Sequence, residues 1–256
     1  MNKKAQELGL NNTHFVTPHG LDNNEHYTTA YELALLADYA LQNNTFAKIV
    51  NTKTYTISIN GNPKTINNTN ELLGYLNGVN GVKTGFTNNA GRCLVTSTTR
   101  NNWQIISVVL GADTKKFRTK DSISLIEYTF NNYELIDIKK IIEDEFQKWQ
   151  SNNESKIEIE KGIKNKVELE LSKITYNLYP IKKDEIKNIE CTVDVVNYVK
   201  APISKNSVLG SVQLKLGEKT ICNIDILCKE DVKKRSVSFY LVHLLNNFGN
   251  YLSMNI

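Results

Sequence analysis

The sequence has little that could bind a metal ion. Its four cysteines form no Cys-x-x-Cys pair, and no histidine lies at zinc-site spacing from them, so no metal site is predicted. Two interpretations of the thiols stay open. Either they are buried free cysteines, or a disulfide joins Cys222 to Cys228 or to Cys191.

A charge excess and a long apolar run are also missing. The formal net charge of +4 is too small, and too evenly spread, to indicate a nucleic-acid partner. No apolar run approaches the roughly 20 residues that span a bilayer, and Met1 is not followed by the apolar stretch of a signal peptide. The protein is therefore expected either to be cytoplasmic or to begin upstream of Met1.

Helical and strand patterns alternate over residues 1–138. Thr29 and Glu32 have the spacing of a capping box at the start of a helix, and Asn60-Gly61 is typical of a tight hairpin turn. Three β-rich segments and a helix follow, at residues 82–87, 93–99, 103–111 and about 119–133. This order predicts an α/β domain built in layers.

The pattern changes near residue 139. Residues 139–155 are charged and polar and are assigned to a linker that starts with a helix and ends with Ser151-Asn152-Asn153. Residues 156–232 contain the short alternating runs of a small β-sandwich. Residues 233–256 are predicted to form an amphipathic helix, in which Lys233-Lys234-Arg235 is followed by an apolar stripe over residues 236–256. Two interpretations of this helix stay open: it packs on the β domain, or it lies in a membrane interface.

One tripeptide carries the chemistry. Lys83-Thr84-Gly85 opens a predicted strand, as in the penicillin-recognising serine enzymes. A cation and a hydroxyl can hold the anionic end of a substrate, and a glycine lets its acyl chain approach the strand closely. The tripeptide alone is weak evidence, because it occurs by chance in many chains.

The segments around Lys83-Thr84-Gly85 add to this evidence. They resemble the serine-type D-alanyl-D-alanine carboxypeptidases of peptidase family S11, the low-molecular-mass penicillin-binding proteins, in the same order along the chain. The similar segments are residues 8–15, 18–22, 27–30, 79–87 and 90–95, followed by 200–203 and 208–210 of the β-rich region.

The resemblance implies a fold and an activity. Residues 1–138 would be the C-terminal part of a penicillin-binding/β-lactamase-like transpeptidase domain, followed by an all-β sandwich and an amphipathic membrane helix. Such enzymes remove the terminal D-Ala from pentapeptide stems of peptidoglycan through an acyl-enzyme, without a cofactor. They are acylated by β-lactams and act at the outer face of the cytoplasmic membrane. A class A β-lactamase is disfavoured because about 170 residues follow Gly85, many with a β-domain pattern.

The resemblance also implies roles for particular residues. Lys83 would supply cleft charge and assist proton transfer, and Thr84 would bind the substrate's terminal carboxylate beside Gly85. The backbone N–H of Phe86 would form half of the oxyanion hole. Arg118 would also reach the carboxylate, unless it is a plain surface arginine.

The family's nucleophile is not found in this sequence. No serine is followed three residues later by lysine, and literal Ser-x-Asn matches such as those at 58–60, 151–153 and 204–206 lie outside the expected context. We therefore expect both elements upstream of Met1 and an inactive chain on its own. The alternative is a non-catalytic module that binds peptidoglycan or a partner. His14 and His19 are predicted to structure their loop, because the family chemistry uses no base there.

Overall fold

The chain divides into two compact units, each with its own core. The computed structural model describes residues 1–175, 177–242 and 244. The first unit is Met1–Asn132 and the second is Tyr133–Ile256. In the order of the chain, the first unit contains α1 (Asn2–Glu7), α2 (Ala30–Leu41), α3 (Asn44–Val50), β1 (Thr54–Ile59), β2 (Asn62–Asn67), β3 (Val79–Thr87), β4 (Gly91–Arg100), β5 (Trp103–Ala112) and α4 (Lys115–Asn132).

The centre of the first unit is the antiparallel sheet β3-β4-β5. Asn101 and Asn102 both adopt positive φ, so a tight two-residue turn joins β4 to β5, as the sequence predicts. Helices α2 and α4 pack against this sheet. Leu94 of β4 and Ile126 of α4 are fully buried, and burying each side chain stabilises the fold by about 1.5–3 kcal/mol.

Two other local predictions for this unit are confirmed. Thr29 is the N-cap of α2, and its hydroxyl accepts a hydrogen bond from the Glu32 backbone N–H at 3.1 Å. Asn60 and Gly61 have φ values of 51° and 81° at the tip of the β1–β2 hairpin. Capping and turn preferences depend on residues close together in the chain, so both features can be predicted from the sequence.

The second unit is mainly β. Its elements are β6 (Tyr133–Asp137), α5 (Ile138–Asn153), β7 (Glu158–Glu160), β8 (Leu169–Leu171), β9 (Leu178–Lys182), β10 (Ile189–Val195), β11 (Tyr198–Lys200), β12 (Val208–Leu216) and β13 (Lys219–Cys228). Short 3-10 turns occupy Glu154–Lys156 and Ile186–Asn188. The main sheet has the order β10-β12-β13-β8, beside the two-stranded sheets β11-β7 and β6-β9.

Helix α5 occupies the segment that the sequence assigns to a linker. The Asp137 side chain caps it by accepting a hydrogen bond from the Lys140 N–H at 2.9 Å. Ile138, Ile142 and Phe146 are buried in the core of the second unit. These positions recur every four residues and so line one helical face. The many charged residues of the segment lie on the other faces of the helix. The overall composition of the segment therefore does not show this apolar stripe.

The sheet register excludes the disulfides considered from the sequence. Cys191 of β10 and Cys222 of β13 both pair with Leu214 on the strand between them. Two strand spacings separate them by about 10 Å, beyond the ~7 Å limit for a disulfide. Cys222 and Cys228 lie six positions apart on one strand, a separation of about 20 Å. All four cysteines are free thiols, and burial raises the pKa of Cys191 to about 11.

Only the beginning of the predicted C-terminal helix is described. Residues 237–242 are helical, and Val237, Leu241 and Val242 are exposed rather than packed on the β domain. The remainder of the predicted helix, apart from Leu244, lies outside the described residues. Within the described part of the chain, no helix has the length and apolar character needed to cross a membrane.

Candidate functional site

The Lys-Thr-Gly element lies on an edge strand of the first unit. Among the described strands, β3 pairs with β4 alone, which leaves its other edge open. A Cβ added to Gly85 would meet only the Cβ of Cys93, at an ordinary contact distance of 3.6 Å. The fold therefore does not require glycine at this position. What the glycine provides is an uncovered stretch of backbone beside Lys83 and Thr84.

Lys83 is an exposed cation on this strand. Its Nζ donates a hydrogen bond to the backbone carbonyl of Thr84 at 2.5 Å. Lys83 forms no salt bridge with any described carboxylate, so its charge is not neutralised within the part of the chain that the structure covers. A cation of this kind can orient an anionic substrate on the strand.

Thr84 is hydrogen-bonded to a residue that was not among the predicted site residues. The Thr84 hydroxyl donates a hydrogen bond to the Thr69 Oγ1 at 2.6 Å. Thr69 lies in the segment between the β1–β2 hairpin and β3. The backbone of this segment is fixed by Asn70, whose buried side-chain amide donates to the carbonyl of Gly81 at 2.8 Å. The orientation of the Thr84 hydroxyl therefore depends on residues outside β3.

Arg118 is buried, so the alternative prediction of a plain surface arginine is wrong. Only 3% of the residue is exposed, and its guanidinium donates to Glu71 Oε1 at 3.1 Å. Glu71 also accepts a hydrogen bond from the Thr119 hydroxyl. The Nε of Arg118 is buried without a hydrogen-bond partner among the described residues. An unpaired buried donor of this kind costs about 1–3 kcal/mol, which a bound carboxylate or water could offset.

Phe86 and Arg92 form a cross-strand pair at the end of β3. They are directly opposite in the β3–β4 register, and the guanidinium carbon of Arg92 lies 3.6 Å from the centroid of the Phe86 ring. More than half of Phe86 is exposed. Such a cation–π contact places the guanidinium over the ring and limits its motion.

The loop before α2 is organised around Glu32. This carboxylate is buried and accepts hydrogen bonds from the Asn12 backbone N–H at 2.8 Å, the Asn12 side chain and the Thr13 hydroxyl. Glu32 therefore does not complete the reciprocal half of the predicted capping box. Burial by itself raises its pKa, but the hydrogen bonds from Thr13 and Asn12 outweigh burial and hold the pKa below its ordinary value.

The two histidines of this loop structure it, as predicted. The Nδ1 of His14 lies 2.6 Å from the carbonyl of Glu25, and His14 forms a β-bridge with Tyr27. His19 Nδ1 accepts a hydrogen bond from the Leu21 N–H at 3.2 Å. Neither ring forms a pair with a described nucleophile, so both contribute to the conformation of the loop.

The predicted site residues lie on β3 and α4. Lys83, Thr84, Gly85 and Phe86 are consecutive on the open edge of β3, while Arg118 is linked to them through the segment that contains Thr69 and Glu71. Thr69 and Glu71 could not be found from sequence, since neither belongs to a recognisable motif. Arg92 was not predicted either, because it lies just before the predicted strand at 93–99; its position opposite Phe86 comes from the β3–β4 register.

An antiparallel sheet with packed helices and a Lys-Thr-Gly edge strand is typical of the penicillin-recognising serine enzymes. Sequence comparisons agree with this class. Residues 1–114 match the family described as D-alanyl-D-alanine carboxypeptidase, and residues 140–234 match the family described as the C-terminal domain of penicillin-binding protein 5.

Individual relatives lead to the same family. The chain is 30% identical to the D-alanyl-D-alanine carboxypeptidase DacF of Bacillus subtilis over 98% of its own length, and it spans 62% of that protein. Penicillin-binding protein 5 from Haemophilus influenzae superposes with a TM-score of 0.65 and 30% identity, over 91% of this chain and 64% of that one. The carboxypeptidase DacD from Francisella tularensis shares the fold, with a TM-score of 0.67 and 24% identity over 91% and 67% of the two chains.

Residues 1–114 are therefore assigned to the D-alanyl-D-alanine carboxypeptidase family, and residues 140–234 to the family of the C-terminal domain of penicillin-binding protein 5. The fold expected from the sequence, a penicillin-binding-protein-like α/β unit followed by a β domain, is confirmed. Helix α5 is an addition to the predicted all-β core of the second domain.

Proposed function

We propose that this chain contributes the substrate-carboxylate site of a serine-type D-alanyl-D-alanine carboxypeptidase. The observation that carries the proposal is the open edge of β3, on which an unneutralised lysine, a hydroxyl and a bare glycine are consecutive. The substrate is a pentapeptide stem of peptidoglycan that ends in D-Ala-D-Ala. β-Lactams, which mimic this end, are the corresponding inhibitors, and no cofactor takes part.

Each residue has a role in this proposal. A stem peptide lies along the free edge of β3, with its terminal carboxylate hydrogen-bonded by Thr84 and attracted by Arg118. The Phe86 N–H donates to the oxyanion that forms at the carbonyl of the penultimate D-Ala. Lys83 places positive charge beside the reacting bond and favours the proton transfers of acylation.

The nucleophile is proposed to come from residues other than these. The family uses the serine of Ser-x-x-Lys, which attacks the penultimate carbonyl, releases the terminal D-Ala and is freed by water. This chain has no such tetrapeptide. Ser97, the nearest approach to it, is fully buried in β4 and accepts a hydrogen bond from Gln104 at 2.9 Å. We infer that the chain alone carries out no acyl transfer.

Comparing two reactions, the release of D-Ala and the acylation by penicillin, tests the role of Arg118. In a chimaera that joins the Ser-x-x-Lys and Ser-x-Asn region of a family member to residue 1, Arg118→Ala should lower kcat/KM for release of D-Ala by about 10–100-fold. The reason is the loss of a charge-assisted hydrogen bond worth about 1.5–3 kcal/mol. The rate of penicillin acylation should fall less. D-Ala release and labelled-penicillin kinetics measure the two reactions.

The control for Arg118 is its partner. Glu71→Gln breaks the ion pair but keeps the guanidinium, so it should change D-Ala release much less than Arg118→Ala does. Thermal unfolding of both variants reports the cost to the fold. If Glu71→Gln reproduced the whole loss, or if both reactions fell equally, Arg118 would be assigned to structure rather than to substrate.

We also propose that the protein acts outside the cytoplasm, at the surface of the cytoplasmic membrane. The proposed arrangement is residues 1–132 for the carboxypeptidase domain, 133–232 for the β domain with α5 in its core, and 233–256 for a segment in the lipid interface, of which residues 237–242 are helical. Val237, Leu241 and Val242 are exposed, and Lys233 and Lys234 precede them. Exposed apolar side chains next to basic residues favour binding to an anionic lipid surface.

Liposome flotation tests the membrane proposal. At low salt, residues 1–256 should float with vesicles that contain anionic lipid, whereas residues 1–232 should stay at the bottom of the gradient. Replacing Lys233 and Lys234 by glutamine should reduce flotation on anionic vesicles and change little on neutral ones. Equal flotation of the intact and shortened chains would contradict a role for this segment.

A further inference from the structure

Arg92 is a cation whose hydrogen-bonding capacity the fold does not use. Its guanidinium forms no hydrogen bond and no ion pair with any residue in the described ranges, and its contact with the protein is the Phe86 ring at 3.6 Å. Two acidic residues lie near Arg92: Asp22, whose Oδ2 accepts a hydrogen bond from the Asn89 N–H at 3.4 Å, and Asp113, which follows the β5 partner of Arg92. Among the described ion pairs, neither carboxylate pairs with Arg92. A guanidinium placed against a ring with its donors unpaired is suited to bind a carboxylate.

The position of Arg92 relative to the proposed substrate follows from the strand register. Thr84 would bind the terminal carboxylate, and the Phe86 N–H would bind the scissile carbonyl, which lies one residue further toward the amino terminus of the peptide. Continuing in that direction carries the peptide past Phe86, toward the end of β3, where Arg92 lies on the neighbouring strand. At about 3.3 Å per residue, the residue preceding the D-Ala-D-Ala pair lies beside or just beyond Phe86. β3 separates this residue from β4, but the Arg92 guanidinium lies against the Phe86 ring of β3. A long side chain on the peptide residue can therefore reach it.

We propose that Arg92 is a specificity-determining residue that binds a side-chain carboxylate on the residue preceding D-Ala-D-Ala. This inference rests on the proposed function. The third residue of a stem peptide is a diamino acid. Diaminopimelate carries a carboxylate beside its distal amine, whereas lysine has the same chain without it. The chain should therefore prefer stems of the diaminopimelate type.

Phe86 has a second role in this arrangement. Its ring carries the guanidinium, while its backbone N–H faces the scissile bond in the proposed site. Binding of a side-chain carboxylate by Arg92 would thus be coupled to the placement of the carbonyl, through one residue. Arg92 acts on specificity and does not take part in the chemical step.

Matched peptides test the inference on the chain as it exists. Nα-acetyl-diaminopimelyl-D-Ala-D-Ala and Nα-acetyl-lysyl-D-Ala-D-Ala differ by one carboxylate. Their dissociation constants can be measured from backbone chemical shifts of the 15N-labelled protein. We expect the diaminopimelyl peptide to bind about tenfold or more tightly, as one charge-assisted contact allows. Arg92→Gln should abolish the difference and leave binding of the lysyl peptide unchanged.

Two further variants exclude general electrostatics. Lys64→Gln removes one positive charge from the exposed β1–β2 hairpin and should keep the full preference. Arg92→Lys should keep part of it, because lysine retains the charge and loses the bidentate geometry. Equal binding of the two peptides, or a preference that survives Arg92→Gln, would overturn the inference while leaving the proposed function in place. Binding of neither peptide would overturn both.

Discussion

A fluorescent penicillin should leave residues 1–256 unlabelled after denaturation, and it should label a chimaera that adds the Ser-x-x-Lys and Ser-x-Asn region of a family member. The adduct is an ester of a serine hydroxyl, and that hydroxyl must lie beside a group that accepts its proton. No serine of this chain has a lysine three residues later. The expected contrast is therefore between no labelled band and a band of full intensity.

The chimaera needs its own control. Replacing its introduced nucleophilic serine by alanine should abolish the label, which shows that the covalent bond forms at that residue. A labelled band from residues 1–256 alone would contradict the proposal and would identify, by peptide mapping, a nucleophile that neither the motif nor the structure indicates. An unlabelled but folded chimaera would contradict the assignment of β3 to the penicillin site.

The second large effect is expected at Lys83. In the same chimaera, Lys83→Ala should lower the rates of D-Ala release and of penicillin acylation by at least about a hundredfold, the scale of losing a preorganised electrostatic contact in an active site. Both reactions should fall together, because Lys83 acts on the shared acylation step, in contrast to Arg118. Steady-state kinetics with a D-Ala-D-Ala peptide and stopped-flow acylation measure them.

Stability should not explain this loss. Lys83 is exposed, and its one hydrogen bond is to the carbonyl of its own neighbour Thr84, so Lys83→Ala should change the free energy of unfolding by no more than about 0.5 kcal/mol. Lys64→Ala, which removes an exposed lysine from the hairpin, should retain full activity. If Lys83→Ala kept activity within threefold of the parent, the assignment of the Lys-Thr-Gly strand to the reaction would fail.

Local features of the fold were accessible from sequence because their causes are local. Asn60-Gly61 and Asn101-Asn102 adopt the positive φ angles that tight hairpins need, and Thr29 supplies the first hydrogen bond of α2. The Lys-Thr-Gly element and the Phe86 that follows it are consecutive residues. Their relative geometry is therefore fixed by the strand itself, and the sequence determines this part of the candidate site.

Tertiary structure decided the properties that depend on distant segments. Helix α5 became part of a core only because the β sheets of the second unit cover Ile138, Ile142 and Phe146. Glu32 does not complete the capping box, because its carboxylate accepts hydrogen bonds from three donors of Asn12 and Thr13 in another loop.

Arg118 and Arg92 also show which properties the sequence determines and which depend on tertiary structure. The sequence analysis places Arg118 just before a predicted helix and Arg92 just before a predicted strand, whereas the structure includes them in α4 and β4. The sequence cannot show that the first is buried against Glu71 while the second is stacked on an exposed ring. Burial, charge pairing and the unused donors of a guanidinium depend on which residues meet in space. The sequence alone thus determined which chemical groups the chain carries on β3, and packing decided which of them remain available to a substrate.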